Sequence, residues 1–377
     1  MRELTGWLFG LCILPLCMTH AQNIQKRCRE LGIKPGIFAP GPQNTITDVK
    51  GISVGQITLD NTEDIYTGLT VILPHDGNLF MDKVPAAVFT ANGFGKLMGS
   101  TQINELGNLE TPIVLTNTLS VPMAAEGIID YTLKNNPRVK SVNAVVGETN
   151  DGRLNNISKR IVTREHVLEA ISVAKSGLVQ EGNIGAGTGT VCFGYKGGIG
   201  SSSRILPASL GGFTIGVLVQ SNFGGNLTIA GVPIGELLGT YSFKDHLEKS
   251  DGSCMIVVAT DAPIDSRNLE RLAKRAFLGL GRTGGIASNG SGDYVIAFST
   301  HPANRIKHEV SEQTQNQVNL VNDAMSPLFS AVIEATEEAI LNSLFMASSI
   351  TRNGQTIKQI PVERILDLLH HHRVLKP

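Results

Sequence analysis

Ser253 stands in Lys249-Ser250-Asp251-Gly252-Ser253, directly before the apolar run Cys254-Met255-Ile256-Val257-Val258-Ala259. The polar residues predict a turn, and the β-branched run predicts a buried strand. A serine at the head of a core strand, with a glycine carbonyl before it, carries a specific chemical possibility. If the Gly252–Ser253 bond were cut, Ser253 would hold a free α-amine beside its own hydroxyl. Such a residue is a nucleophile that brings its own base. A free α-amine titrates at about 7.7–8.0, so it is partly neutral at physiological pH. Glycine at the preceding position leaves its carbonyl sterically open. The same residues also fit a plain turn before a strand. Cys254 adjoins Ser253, but strand alternation points it to the opposite face.

Other segments carry polar groups at strand ends. Ala287-Ser288-Asn289-Gly290-Ser291-Gly292-Asp293 precedes a predicted strand at Tyr294–Ser299. Ser291 and Asp293, two apart, point to the same face and could hold and polarise a nucleophile; the alternative is a loop of Asn, Gly and Ser. Asn222 follows the apolar run Thr214–Gln220, where an amide can donate to a developing oxyanion; the alternative is a turn asparagine. Glu148, in Gly147-Glu148-Thr149-Asn150-Asp151-Gly152 after the strand Ala144–Val146, could pair with a cation. As an isolated acid before a turn, it is expected to be solvated.

The motifs that are missing narrow the field. No phosphate-binding G-x-x-x-x-G-K-[ST], no H-E-x-x-H and no G-x-S-x-G occurs. Gly182–Thr190 is glycine-rich without dinucleotide spacing and suits close backbone packing or a tight turn near a site. His370-His371-His372 could bind metal adventitiously, but a solvated face of a terminal helix is the stronger reading. No metal or other cofactor is expected.

The elements that must position these groups alternate along the chain. Short strands are predicted at Leu69–Leu73, Ala86–Phe89, Ile113–Leu115, Ala144–Val146, Thr190–Phe193, Thr214–Gln220, Met255–Ala259 and Tyr294–Ser299. Thr163 and Asp265 can cap helices, and Ser326-Pro327 and Pro361 can open two more. Over 377 residues, with 41 glycines and only 17% charged residues, this mixture predicts stacked α and β layers. The net charge of -1 and the lack of a basic stripe argue against a nucleic-acid partner.

At the N-terminus, Arg2 precedes the apolar stretch Trp7–Met18, and Thr19-His20-Ala21 offers a small-residue cleavage site. Residues 1–21 therefore read as a secretion signal, too short to span a membrane. The mature protein is expected to be periplasmic and free of the membrane. Cys12 and Cys17 leave with the signal. The remaining Cys28, Cys192 and Cys254 are odd in number and form neither a disulfide framework nor a zinc pattern. The polar stretch Lys244–Gly252 reads as a processing loop.

Taken together, the segments resemble one family. The Asp-Gly-Ser strand with Ala259-Thr260-Asp261-Ala262-Pro263, the Ser288–Asp293 loop, Val219-Gln220-Ser221-Asn222-Phe223-Gly224 and Gly147–Gly152 are similar to the β-peptidyl and D-stereospecific aminopeptidases. These are self-processing relatives of the ornithine acetyltransferases. The likeness extends to Ile46–Gly55, Leu115–Val121 and Gly197–Arg204, and so from about Gly36 to the last helix.

The resemblance implies a four-layer αββα sandwich with mixed sheets. It implies autocleavage at Gly252–Ser253 into an α chain, residues 22–252, and a β chain, residues 253–377. It also implies roles. Ser253 is the nucleophile, Ser291 positions and polarises it with Asp293, and Asn222 stabilises the oxyanion. Glu148 binds the substrate's ammonium, beside Asn150. Asp293 stands where some relatives carry Glu, and Asn150 where some carry an aromatic residue. The substrate would be a small peptide, amide or ester with an N-terminal β-, D- or small L-residue, attacked through an acyl-enzyme. A homo-oligomer, a tetramer of αβ units, is implied as well. Two other functions fit less well. An acetyltransferase of the related branch usually has a Thr nucleophile and works in the cytoplasm. An inactive periplasmic binding protein would stay one chain.

Overall fold

The run Cys254–Ala259 is apolar without alternation, which suits a strand covered on both faces. The computed structural model, which describes residues 25–244, 251–309, 313–352 and 354–375, places it at the centre of the molecule. Residues 245–250 of the predicted processing loop Lys244–Gly252, and the secretion signal, lie outside the described residues. The principal strands are β1 (Ser53–Thr62), β2 (Ile65–Leu73), β3 (Asp82–Gly93), β4 (Leu97–Met98), β5 (Ile113–Asn117), β6 (Val145–Thr149), β7 (Ile199–Ile205), β8 (Thr214–Asn222), β9 (Asp251–Thr260) and β10 (Gly290–Ser299). The main helices are α1 (Val121–Asn135), α2 (Arg164–Ser172), α3 (Ser266–Arg282), α4 (Ser326–Phe345) and α5 (Val362–His371).

The strands form two mixed sheets. One runs β1-β2-β5-β6-β4; the other runs β7-β8-β9-β10-β3 and continues into the short strand Ile306–Lys307. Each sheet holds one parallel pair joined by a helix: β5–α1–β6 in the first and β9–α3–β10 in the second. A parallel pair needs such a crossover.

The core divides by strand alternation. Met255, Val257 and Ala259 of β9 pack with Tyr294, Ile296 and Phe298 of β10 and with Ile72, Ile113, Leu115 and Val145 of the other sheet. This is the layer between the sheets. Cys254, Ile256 and Val258, with Val295 and Ala297, face α3, α4 and α5. Val71, Val114 and Val146 face α1 and α2 on the far side. Helix, sheet, sheet and helix thus make the four layers expected from the sequence. Thr163 and Asp265 sit at the N-caps of α2 and α3, the Asp265 carboxylate accepting from the Asn268 N–H at 2.8 Å.

Several strands begin or end elsewhere than the sequence predicts. β9 starts at Asp251, because Asp251 and Gly252 already pair with Gly290 and Ser291 of β10. Ser253 is therefore the third residue of its strand and not the first. β6 runs on through Glu148 to Thr149, while the predicted strand at Thr190–Phe193 is only Val191–Cys192. The sequence predicts none of β1, β4 and β7. His370, His371 and His372 are exposed at the end of α5. Among the described residues no group of three or more His, Cys, Asp or Glu is placed to hold a metal ion, and no helix is long and apolar enough to cross a membrane.

Candidate active site

The C-terminal ends of β6 and β8 meet the N-terminal ends of β9 and β10 at one edge of the sandwich. The antiparallel register sets Asn222 opposite Ser253, and the parallel register sets Ser253 opposite Gly292. The cavity there, about 500 Å³, is lined among others by Ser253, Gly252, Asn222, Glu148, Asn150 and Phe94.

Ser253 is 4% exposed and belongs to the face between the sheets. Two donors converge on its hydroxyl oxygen. The Asn222 amide nitrogen lies 3.3 Å from Oγ, and the Asn150 backbone N–H 3.4 Å. Asn222 is itself fixed at both ends of its amide. Its Oδ1 accepts from the Val191 N–H at 2.9 Å, and its Nδ2 also donates to the Asn150 carbonyl at 3.1 Å. Donors held in this way need no rearrangement to stabilise charge on an oxygen beside Ser253. The chain is continuous at Gly252. A Cβ on that residue would lie 2.8 Å from the Phe223 Cα, so close packing alone demands glycine there.

Glu148 is not the solvated acid that its place before a turn suggests: it is 3% exposed because β6 carries it into the sandwich edge, and it lines the cavity. Oε1 accepts from the Lys96 N–H at 3.0 Å and Oε2 from the Thr118 hydroxyl. Lys96 Nζ stands 4.0 Å from Oε1. A buried carboxylate opening on a cavity is suited to a cation from a ligand. Asn150 contributes its backbone to the site, while its side chain turns back to accept from the Gly152 N–H at 2.9 Å.

Ser291 and Asp293 are both buried on β10 and share a face, as their spacing predicts. That face is the one of Val295 and Ala297, towards the helices and towards Cys254. Neither the Ser291 hydroxyl nor either Asp293 carboxylate oxygen has a hydrogen-bond partner among the described residues. In the continuous chain the pair is therefore not bonded to Ser253. Burial pushes the Asp293 carboxyl up to about 6, against smaller opposing effects of the Ser291 hydroxyl and the Cys254 backbone. Burial, with the Asp293 charge next, raises the Cys254 thiol, which disfavours its thiolate.

The sequence alone did not single out several supporting residues. Asn92 Nδ2 donates to the carbonyls of Ser288 at 2.9 Å and of Ser291, clamping the start of β10. Gln220 Nε2 donates to Thr149 Oγ1, the Thr116 carbonyl and the Ala186 carbonyl, tying the sheets together behind the site. Asp151 is held by Asn155 and Thr67, and burial raises it to about 6. Beneath it, Lys196 is fully buried, donates to the Gly187 and Gly197 carbonyls, and is lowered by burial to about 7. The glycine-rich segment gives this layer its room, since a Cβ on Gly189 would lie 2.7 Å from the Asp151 Cβ. Polar side chains within glycine-rich turns give no periodic signal, so only proximity in space reveals them.

Comparison with known proteins identifies the family and the fold. Residues 44–357 match peptidase family S58. The beta-peptidyl aminopeptidase BapA of Sphingosinicella microcystinivorans is 39% identical over 372 residues, covering 93% of each chain. Among solved structures, a beta-aminopeptidase of Burkholderia sp. superposes with a TM-score of 0.86 at 39% identity, covering 93% of this chain and 100% of that one. The L-aminopeptidase D-Ala-esterase/amidase of Ochrobactrum anthropi, described as a prototype of the serine aminopeptidases and a variant of the Ntn hydrolase fold, gives a TM-score of 0.86 at 34% identity, covering 93% and 99%. The chain thus belongs to peptidase family S58 and is an aminopeptidase with the Ntn-hydrolase fold.

Proposed function

We propose that this aminopeptidase is exported and cuts itself between Gly252 and Ser253. The residue so exposed then removes N-terminal β-, D- or small L-residues from short peptides, amides and esters. The observation that carries this reading is the convergence of the Asn222 amide and the Asn150 N–H on Ser253 Oγ, in the same cavity as the buried Glu148.

In self-processing, Ser253 Oγ adds to the Gly252 carbonyl carbon and the C–N bond breaks. The nitrogen takes the proton and becomes the Ser253 α-amine, leaving an ester that water hydrolyses. The products are residues 22–252, ending in the Gly252 carboxylate, and residues 253–377. In turnover, the substrate ammonium pairs with Glu148. The freed α-amine takes the Oγ proton as Oγ attacks the substrate carbonyl. Asn222 and Asn150 donate to the oxyanion, and the proton passes to the leaving amine. Water then releases the acyl group.

Ser291 and Asp293 enter at this stage. Cleavage frees residue 253 from the strand, and its amine can turn towards the Ser291 hydroxyl, which Asp293 polarises. The apolar stretch Trp7–Met18 and the small residues after it support export to the periplasm. The family resemblance supports assembly as a homo-oligomer.

The test is a denaturing gel of purified protein, followed by turnover of matched β-, D- and L-aminoacyl p-nitroanilides. Two chains with Ser253 at the new N-terminus, and turnover of free-amine substrates, are expected. A single chain that turns over none of them would remove this reading.

A further inference from the structure

Arg153 gives the cavity a charge that the chemistry above leaves unused. It lines the same cavity as Ser253 and Glu148. It is exposed and forms no ion pair or hydrogen bond among the described residues. Lys96, the other cation on the cavity wall among the described residues, already stands beside Glu148.

The turn that carries Arg153 is fixed on both sides. The Asn150 side chain accepts from the Gly152 N–H at 2.9 Å. The Asp151 carbonyl accepts from the Leu154 and Asn155 N–H groups at 3.0 Å each. The Asp151 carboxylate is held by Asn155 Nδ2 at 3.0 Å and by the Thr67 hydroxyl. A guanidinium on so constrained a backbone offers a planar fork to a carboxylate.

We propose that Arg153 receives the C-terminal carboxylate of the substrate, so that the preferred substrates are free dipeptides rather than dipeptide amides or longer peptides. This rests on the aminopeptidase reading above. A dipeptide carries an ammonium at one end and a carboxylate at the other, with the scissile carbonyl between them. The cavity is lined by Glu148, Arg153 and Ser253, one partner for each of these groups. At about 500 Å³ it is the size of a small-ligand pocket.

The experiment compares one dipeptide as its free acid and as its C-terminal amide, with the first residue taken from the fastest member of the p-nitroanilide panel. Because Arg153 is exposed, water weakens the contact, and kcat/KM should favour the acid by about 2- to 5-fold, mostly through KM. Arg153→Gln should bring the ratio close to one, and Arg153→Lys should restore part of it. Added salt should shrink the preference in the wild type. A ratio near one in the wild type, or a ratio that Arg153→Gln leaves intact, overturns the inference while leaving the aminopeptidase reading in place. A third arm uses aminoacyl amides with and without an acidic side chain on the released residue. If the acidic one is favoured and Arg153→Gln abolishes that preference, the guanidinium reads the side chain and the dipeptide inference is wrong. Failure of every substrate would overturn the aminopeptidase reading and this inference with it.

Discussion

The Asn222 amide nitrogen sits 3.3 Å from Ser253 Oγ across the β8–β9 pair, while its oxygen is held by the Val191 N–H. The two ends of one amide therefore do different work, and variants can separate them. Asn222→Asp keeps an acceptor for Val191 but loses the donor. Its turnover should fall by about 10²–10³, as expected for loss of one oxyanion donor. Asn222→Ala also releases the Val191 N–H, so it should in addition lose about 1–3 kcal/mol of stability. Steady-state rates and thermal melts of both variants make the comparison. Normal turnover in a correctly processed Asn222→Asp enzyme would take Asn222 out of the chemistry.

Ser253→Ala should remain one chain of precursor size, because the attacking oxygen is gone. Ser253 is small and the change leaves the β9 register intact, so the variant should fold. Mass spectrometry of the intact protein reads the outcome directly. A variant cut at Gly252 with the same timing as the wild type would show that cleavage does not need Ser253.

Glu148 offers a test of the free-amine requirement. N-acetylation removes the substrate's positive charge and adds bulk beside a buried carboxylate. The acetylated amide should be nearly inert. Glu148→Gln, which removes the charge at nearly constant shape, should lower kcat/KM for the free amine by on the order of 10²-fold, the range for breaking a desolvated charge pair. Comparable rates for free and acetylated forms of one amide would rule out this role.

Asp293 should imprint itself on the pH dependence. Its folded carboxyl is raised to about 6 by burial, whereas an unfolded aspartate titrates at about 3.9. Between these values the folded state binds more protons, so this group's contribution to stability is full below about pH 4 and is lost as pH rises through about 6. Activity that needs the ionised carboxylate should run the other way and climb across the same window. The α-amine that the proposed cut would free must be neutral to act as base and would set the main limb near its ordinary value of about 7.7–8.0, while pulling the Asp293 carboxyl downwards, so Asp293 should add a second acidic limb at or below about pH 6. Asp293→Asn should flatten that limb and remove its share of the stability slope. An unchanged limb in Asp293→Asn would assign it to another group.

The helices were legible where chain chemistry marks their ends, at Asp265, Ser326-Pro327 and Pro361. The central strands were legible from their β-branched runs. β7 was not, because Ile199-Gly200-Ser201-Ser202-Ser203-Arg204-Ile205 has no apolar pattern. Its serines are buried by bonding elsewhere: Ser201 to the Val217 carbonyl, Ser202 to the Ala335 carbonyl and Ser203 to Asp48. Partners so far away in sequence leave no local trace. β1 lies at the edge of its sheet and shows mixed polarity for that reason. Ser253, Asn222 and Glu148 were marked by their places at strand ends. The burial of Glu148 was not foreseeable, since it depends on Thr118 and on the Lys96 backbone from separate segments. The orientation of Ser291 and Asp293 relative to Ser253 depends on the parallel register of β9 and β10, which no single stretch of sequence specifies.

The proposed cut falls inside β9, an interior strand with β8 on one side and β10 on the other. Opening a bond there would remove no layer of the sandwich, so the halves would remain interlocked through the sheet and through α3 and α4. Return from the unfolded state would change in kind. The uncut precursor folds as one molecule, at a rate independent of concentration. The cut enzyme would have to find its other half by diffusion, against aggregation of two fragments, one lacking half of a sheet and the other lacking one whole sheet and half of the second. Its durability would then be governed by how slowly it comes apart, and a single unfolding event would in practice be final.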